Sequence, residues 1–355
     1  MWNQAWAWLR DTLPLLQWLP DYTTEALRGD ATAGLTVGVM LIPQGMAYAV
    51  IAGVPPIYGL YAGLVPLLVY PLIGSSRHLA LGPVSIDMLI IAAGVGAIAQ
   101  AGTERYVALA ILLTAMVGLL QMAMGAMKLG FVANLLSRPV IAGLTTAASF
   151  IIAISQIGSL LGVELGRSQY IHVLLIEAVQ NAGNTHLLTL GIGTASIVLL
   201  MGLPRWLPKV PEALIVVVAG TLAGWGFGLR EKGVSVVGSI PQGLPAPELW
   251  TLSFSDLNTL LPAAITLALV QFMKDISLDR IFAARHGYTI DANRELIGVG
   301  AGNFFGSLFQ SIPASGSFSR SAVNEQSGAQ TALANAFAAG VIALTLLFLT
   351  PLFYH

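Results

Sequence analysis

Runs of close to 20 apolar residues recur along this chain, and ~20 is the number a helix needs to cross a ~30 Å hydrocarbon core. Inside a bilayer the backbone must satisfy its own hydrogen bonds, which leaves helices or closed barrels. Barrel strands alternate apolar and polar residues, and these runs do not. The chain therefore reads as an all-α polytopic membrane protein. Charged residues make up only 9% of its 355 positions, against about 25% in a soluble domain.

The apolar runs place spans at 32–52, 57–74, 84–100, 106–127, 139–162, 186–203, 211–228, 258–280, 292–310, 317–328 and 331–350. Residues 1–31 are rich in tryptophan but carry acids and have no basic start, so they read as an amphipathic segment on the lipid surface rather than a signal peptide. Lysine and arginine set the orientation. With the N-terminus in the cytoplasm, Arg10, Arg28, Arg77, Lys128, Arg205, Lys209, Arg280 and Arg285 fall inside, and only Arg105, Arg167, Arg230 and Lys232 fall outside. The expected orientation is a cytoplasmic N-terminus.

Two spans are short and interrupted. "GSSRHLALGPVSIDM" (Gly74 to Met88) leads into the third, and "GSLFQSIPASGSFSRSA" (Gly306 to Ala322) leads into the tenth. Each is a polar approach broken by Gly and Pro, followed by a short apolar helix. The two cross in opposite directions, and paired interrupted segments in opposite halves point to a transporter's midplane site. A helix that begins in mid-membrane leaves its first N–H groups unpaired and presents the positive end of its dipole. Two such ends form an anion site from backbone alone. Ser85, Ser317 and Ser319 add hydroxyl donors, and Arg320 adds a positive charge that does not titrate. The bland alternative keeps Arg320 structural, paired with Glu325, and makes the serines small packing residues.

At this point the residues resemble a family. "LIPQGMAYAVIAGVPPIYGLYAG" (Leu41 to Gly63), "GSSRHLALGPVS" (Gly74 to Ser85), "RHGYTIDANRELIGVGAGNFFGS" (Arg285 to Ser307) and "SGSFSRSAVN" (Ser315 to Asn324) closely resemble the SulP anion transporters, the sulfate permeases. The resemblance implies a fold of two inverted halves of seven segments, shared with nucleobase permeases and band-3-type exchangers. It implies a core domain built from 32–127 and 258–355, and a gate domain that starts with 128–257. It implies that Gln44 and Tyr48 line the anion site, with Val84 and Ser85 at one helix end and Phe318, Ser319 and Arg320 at the other. It also implies three further segments and a STAS domain beyond the eleventh span, so the chain reads as a shortened form that lacks half of the gate.

One departure concerns charge. Where the resemblance implies a mid-membrane glutamate linked to proton coupling, this chain has Lys274, followed by Asp275. Asp87 sits in the first turn of the third span, where the resemblance implies an apolar residue. Lys274 and Asp87 are expected to pair across the core, each compensating the other's burial. The alternative for Asp87 is complementarity with the helix dipole. Asp279 and Arg280 read as a cytoplasmic helix end.

The expected function is secondary active transport of a small anion (sulfate, bicarbonate, chloride or a dicarboxylate) by alternating access, elevator-like. Proton or sodium coupling and exchange all stay open, and no cofactor is expected. A nucleobase permease of the same fold and a passive anion channel are the competing readings. A net charge of −1 argues against a nucleic-acid partner, the five histidines are scattered along the sequence, and no cysteine is present. No nucleophile, base and orienter arrangement and no phosphate-binding loop stands out, so an enzyme is not expected. Membrane lipid is an expected partner, and a homodimer is compatible with the resemblance.

Overall fold

The computed structural model describes residues 19–134, 156–163, 171–206, 212–234, 241–250 and 253–350, with isolated positions between 143 and 154. The chain divides into two compact units. One comprises Met1–Ser137 and Gly243–Leu347, and the other Arg138–Gln242 and Phe348–His355.

The first unit opens with α1 (Thr24–Ala52), capped by the Thr23 side chain, which accepts from the Ala26 N–H at 3.1 Å, and ended by Gly53 in the left-handed region. Helices α2 (Pro56–Tyr61) and α3 (Val65–Ile73) follow, then α4 (Ser85–Gly96) and α5 (Glu104–Ala126). Four helices of the other unit come next: α6 (Ile157–Leu161), α7 (Ile171–Gln180), α8 (Leu187–Trp206) and α9 (Glu212–Phe227). In that unit α6 packs on α8, and α8 on α9. The chain returns to the first unit with α10 (Phe254–His286), α11 (Ala292–Ser307), α12 (Phe318–Gln326) and α13 (Leu333–Leu344), which runs on as a π-helical turn over Thr345–Leu349. Among the described residues, four stretches are long and apolar enough to cross a membrane: Thr24–Ala52, Pro56–Ile73 taken across its break, Glu104–Ala126 and Phe254–His286.

Several expected limits shift. Helix α1 starts at Thr24, so the boundary expected between 31 and 32 falls inside it. Residues 1–18 of the expected surface segment lie outside the described residues, as do 139–142 and several further positions of the expected span 139–162. The expected span 57–74 is broken at 62–64, where Gly63 and the ring of Pro66 interrupt the helical ladder. Helix α10 runs past 280 to His286 before Gly287 ends it.

The core of the first unit is apolar and tightly packed. Met88, Ile91 and Val95 of α4 meet Leu109, Leu113 and Val117 of α5 and Leu260 and Leu267 of α10. The close approach of α5 and α11 depends on Gly118 and Gly300. A Cβ on Gly300 would sit 2.8 Å from the Gly118 carbonyl oxygen, so small residues set the spacing here, as they do in membrane helix pairs.

Helices α4 and α12 have 12 and 9 residues, and at ~1.5 Å per residue neither crosses a ~30 Å core. The non-helical approaches that precede them lie side by side. Ser315 N–H donates to Gly82 O at 2.9 Å, and Ser317 N–H to Ala80 O at 3.2 Å, an antiparallel pairing. Side chains take up more of this backbone. Ala80 N–H donates to Ser321 Oγ at 2.9 Å, Leu81 N–H to Asn335 Oδ1 at 3.1 Å, and Asn335 Nδ2 to Leu79 O at 2.8 Å. Irregular backbone survives at membrane depth only when protein satisfies it in this way.

Candidate functional site

The two half-helices begin without side-chain caps. Val84 is the N-cap of α4 and Ser317 the N-cap of α12, both in extended conformation, and neither side chain accepts from its own helix. Ser85 is partly buried at the first position of α4. At the start of α12, Phe318 and Ser319 are exposed on this unit, with Ser319 Oγ 3.2 Å from Ser317 Oγ. Each end thus offers N–H groups and hydroxyls.

Arg320, one residue further on, is fully buried. Its Nη1 donates to Gln44 Oε1 at 3.2 Å, and its Nε and Nη2 have no hydrogen-bond partner. Gln44 follows Pro43 in α1. Tyr48, four residues on and so on the same face, lies within electrostatic reach of the guanidinium. Gly82 makes room for it: at φ 142°, a Cβ there would stand 3.1 Å from Arg320 Nη2. The alternative pairing of Arg320 with Glu325 is not found. Glu325 instead binds Arg285 at 3.0 Å and His286 at 2.7 Å. A guanidinium with two free nitrogens, beside two uncapped helix starts, is built to receive an oxyanion.

The second charge cluster lies beside the approach to α12. Lys274 Nζ stands 3.5 Å from Asp87 Oδ1 and 3.9 Å from Asp275 Oδ1, and donates to Ser315 Oγ at 2.6 Å. Ser315 Oγ donates in turn to Asp87 Oδ2, which also accepts from Gln271 Nε2 at 2.9 Å. Asp275 Oδ1 accepts from Gly316 N–H at 3.0 Å. The structure therefore brings Lys274 and Asp87 together across α10 and α4. The four charges Lys274, Arg320, Asp87 and Asp275 sum to zero.

Sequence reasoning missed the polar residues behind this cluster. Gln121 Nε2 donates to Gln271 Oε1 at 3.0 Å, and Asn303 Oδ1 accepts from Ala314 N–H at 2.8 Å, fixing the approach to α12. Each is a lone amide in an apolar run ("LLQMAM", "LVQFMK", "GAGNFF"), which is the available signal. It also missed Asp30, whose carboxylate takes the Gln330 and Thr331 N–H groups at 2.7 and 2.9 Å. Asp279 does not lie at a helix end: it is fully buried inside α10. The histidines are not all scattered in space either. His78 stacks on His286 with ring centroids 4.3 Å apart. Burial first, then repulsion from His286, holds the His78 imidazole down at about 4.

Comparison with known proteins decides the family. The profile of the sulfate permease family matches residues 27–355. The chain belongs to the sulfate permease family. Within it, sulfate transporter 4.1, chloroplastic, of Arabidopsis thaliana is 38% identical over 355 residues, covering 98% of this chain and 52% of the relative. This chain thus spans about half the length of that relative. Among solved structures, the murine Solute Carrier 26 family member A9 anion transporter in the inward-facing state superposes with a TM-score of 0.90 at 27% identity, covering 98% of this chain and 61% of the other. The transmembrane domain of a cyanobacterial bicarbonate transporter, BicA, gives 0.83 at 24% identity, covering 94% and 86%. The chain therefore has the inverted-repeat membrane fold of these transporters. The matched relatives are transporters, not enzymes.

Proposed function

We propose that this chain carries the anion site of a secondary active transporter for small oxyanions, with sulfate and bicarbonate the leading candidates. The observation that carries the reading is buried Arg320, with Nε and Nη2 unpartnered between two uncapped half-helix starts. Gln44 orients the guanidinium, the N–H groups after Val84 and Ser317 supply further donors, and Ser85, Ser319, Tyr48 and Phe318 border the space. Names support the substrate class: the Arabidopsis relative is a sulfate transporter, and the structural neighbour BicA a bicarbonate transporter. The nucleobase alternative needs acids free to bond a ring, whereas Asp87 is paired with Lys274 at 3.5 Å and its Oδ2 accepts from Ser315 and Gln271.

In this reading the unit of Met1–Ser137 and Gly243–Leu347 is the core domain that carries the site, and Arg138–Gln242 belongs to the gate domain. Lys274 takes the place of a coupling acid. The setting is a bacterial inner membrane with the N-terminus inside, and two copies pair. The test is uptake of labelled sulfate, bicarbonate and a four-carbon dicarboxylate into proteoliposomes, with and without an inward proton or sodium gradient. Saturable uptake of one oxyanion, with its KM raised about tenfold or more in Arg320→Gln, is the expected result. Flux that does not saturate would replace the carrier with a channel, and flux indifferent to Arg320 would remove the site.

A further inference from the structure

The acid that lies deepest without a role is Asp279. It is fully buried in α10, and neither carboxylate oxygen has a hydrogen-bond partner. Ser76 lies beside it, 1% exposed, and its hydroxyl is unpartnered as well. Glu295 of α11 is the neighbouring carboxylate, crowded with donors at one oxygen and holding a single one at the other. Its Oε1 accepts from Ser75 N–H at 2.6 Å, Ser75 Oγ at 2.8 Å and Ser76 N–H at 2.9 Å, and its Oε2 from Tyr70 O–H at 2.7 Å. Four donors are the coordination of an ionised carboxylate. Asp279 has none, and a second bare carboxylate beside the first, buried and without a cation, has no physical support. One proton resolves both orphans. It makes Asp279 a neutral acid with a donor to share toward Glu295, and leaves its other oxygen to accept from Ser76. The proton can be shared with Glu295 Oε2, which has one donor, whereas a metal ion would find too few ligands: no group of three metal-ligating side chains occurs among the described residues.

A route out exists on the side where the α10–α11 loop is exposed. Tyr288 of that loop lies beside Ser76 and Asp279, and its O–H is 3.2 Å from His78 Nδ1. His78 stacks on His286, whose side chain is 42% exposed. The charged and titratable groups facing this route are Glu295, Tyr70 and Asp275 at its inner end, and Arg77 over the Tyr288 ring, His286 and Glu325 at its outer end.

We propose that Asp279 is a proton-binding site, sharing its proton with Glu295 and exchanging it with the α10–α11 loop face through Ser76, Tyr288 and His78. A proton taken by His78 at Nε2 releases the Nδ1 proton to the Tyr288 oxygen. The Tyr288 proton passes to Ser76 Oγ, and the Ser76 proton to Asp279, so each hydroxyl ends with one proton and the carboxylate gains one. The low proton affinity of His78 suits a relay that passes protons without storing them. Use of this proton for coupling rests on the transport reading above, but its presence does not.

Infrared difference spectroscopy on the full-length protein in liposomes tests occupancy without transport. The protonated-carboxyl stretch is expected at neutral pH, unchanged by sodium and lost in Asp279→Asn. A band that survives Asp279→Asn, or that sodium abolishes, overturns the site. Tyr288→Phe, in the partly exposed loop, covers the case where the first variant does not fold: it keeps the band and slows its hydrogen–deuterium exchange several-fold. Exchange at the wild-type rate overturns the route. For coupling, Asp279→Asn keeps downhill anion uptake and loses acceleration by a proton gradient, and acceleration that persists refutes that role. Absence of uptake in the wild type would sink the transport reading, while the infrared band still decides the site.

Discussion

Lys274→Ala removes the cation nearest to two buried acids. At 3.5 Å from Asp87 and 3.9 Å from Asp275, its ammonium contributes about 5 and about 4 kcal/mol of Coulomb energy at an effective dielectric of ~20. Those are gross figures, and the ammonium's own desolvation offsets much of them. Removing one partner of a buried pair costs about 3–5 kcal/mol, because the other charge is left uncompensated. Asp87 is fully buried and loses, among the described residues, its only cation within 4 Å, so the upper half of that range is expected for Lys274→Ala. Asp87→Asn alone is milder, about 1–2 kcal/mol, since Gln271 and Ser315 stay in place and Lys274 keeps Asp275. The double variant removes the stranded Asp87 charge and leaves only Asp275 uncompensated. It should therefore be more stable than Lys274→Ala alone. Detergent-induced unfolding in mixed micelles, run on the wild type, both single variants and the double variant, closes the cycle. Coupling of about 1.5–3 kcal/mol is expected. Costs that add within ~0.5 kcal/mol would refute the pairing argument and return Asp87 to a dipole-complementing role.

Arg320→Gln should raise the KM of saturable oxyanion uptake about 10- to 150-fold, the equivalent of one lost charged hydrogen bond at ~1.5–3 kcal/mol, and Arg320→Lys should not restore it because one ammonium cannot reach both Gln44 and the anion. Gly82→Ala puts a side chain at φ 142° and against Arg320 Nη2, so uptake should fall together with about 1–3 kcal/mol of stability, whereas Gly102→Ala, also at positive φ but in open space, should cost stability and leave uptake intact. Asp30→Ala strands the N–H groups of Gln330 and Thr331 ahead of α13 and should cost about 3 kcal/mol, read as a lower unfolding midpoint. His78, held near 4 in the fold against an ordinary 6.5, stays neutral where the unfolded chain takes a proton, so its stabilising contribution is present above about pH 6.5 and declines as pH falls to about 4; in His78→Gln the loss of stability across that window should be smaller by up to ~3 kcal/mol, and an unchanged pH profile would contradict it.

The parts of the site that could be read in the sequence were those that break a local rule. Gly, Pro and Ser inside an apolar run cannot continue a lipid-facing helix, which placed the starts of α4 and α12 within a residue. Arg320, Lys274 and Asp87 are charges at membrane depth, and such charges must face the interior and find a counterpart, which made the pairing of Lys274 with Asp87 predictable across 187 positions. Glu295 breaks no rule. It is an acid in the first turn of α11, where the dipole favours one, and nothing local tells that its side chain gathers the Ser75 and Ser76 backbone from 220 and 219 positions away. Asp279 was hidden by a boundary: with α10 taken to end at 280 it looks solvated, and six more helical residues to His286 bury it. His78 and His286 meet only because the approach to α4 folds back toward the end of α10, a contact with no spacing to announce it. The two kinds of residue divide by physical cause. Local sequence exposes groups whose burial would be costly wherever they pointed, and conceals groups whose state depends on what the fold sets beside them. The anion donors belong to the first kind and the inferred proton site to the second. For this reason Lys274, at the position where the sequence led one to look for the coupling group, is already neutralised by its neighbours, while an acid one turn beyond Asp275 on the same face of α10 is the group left waiting for a charge.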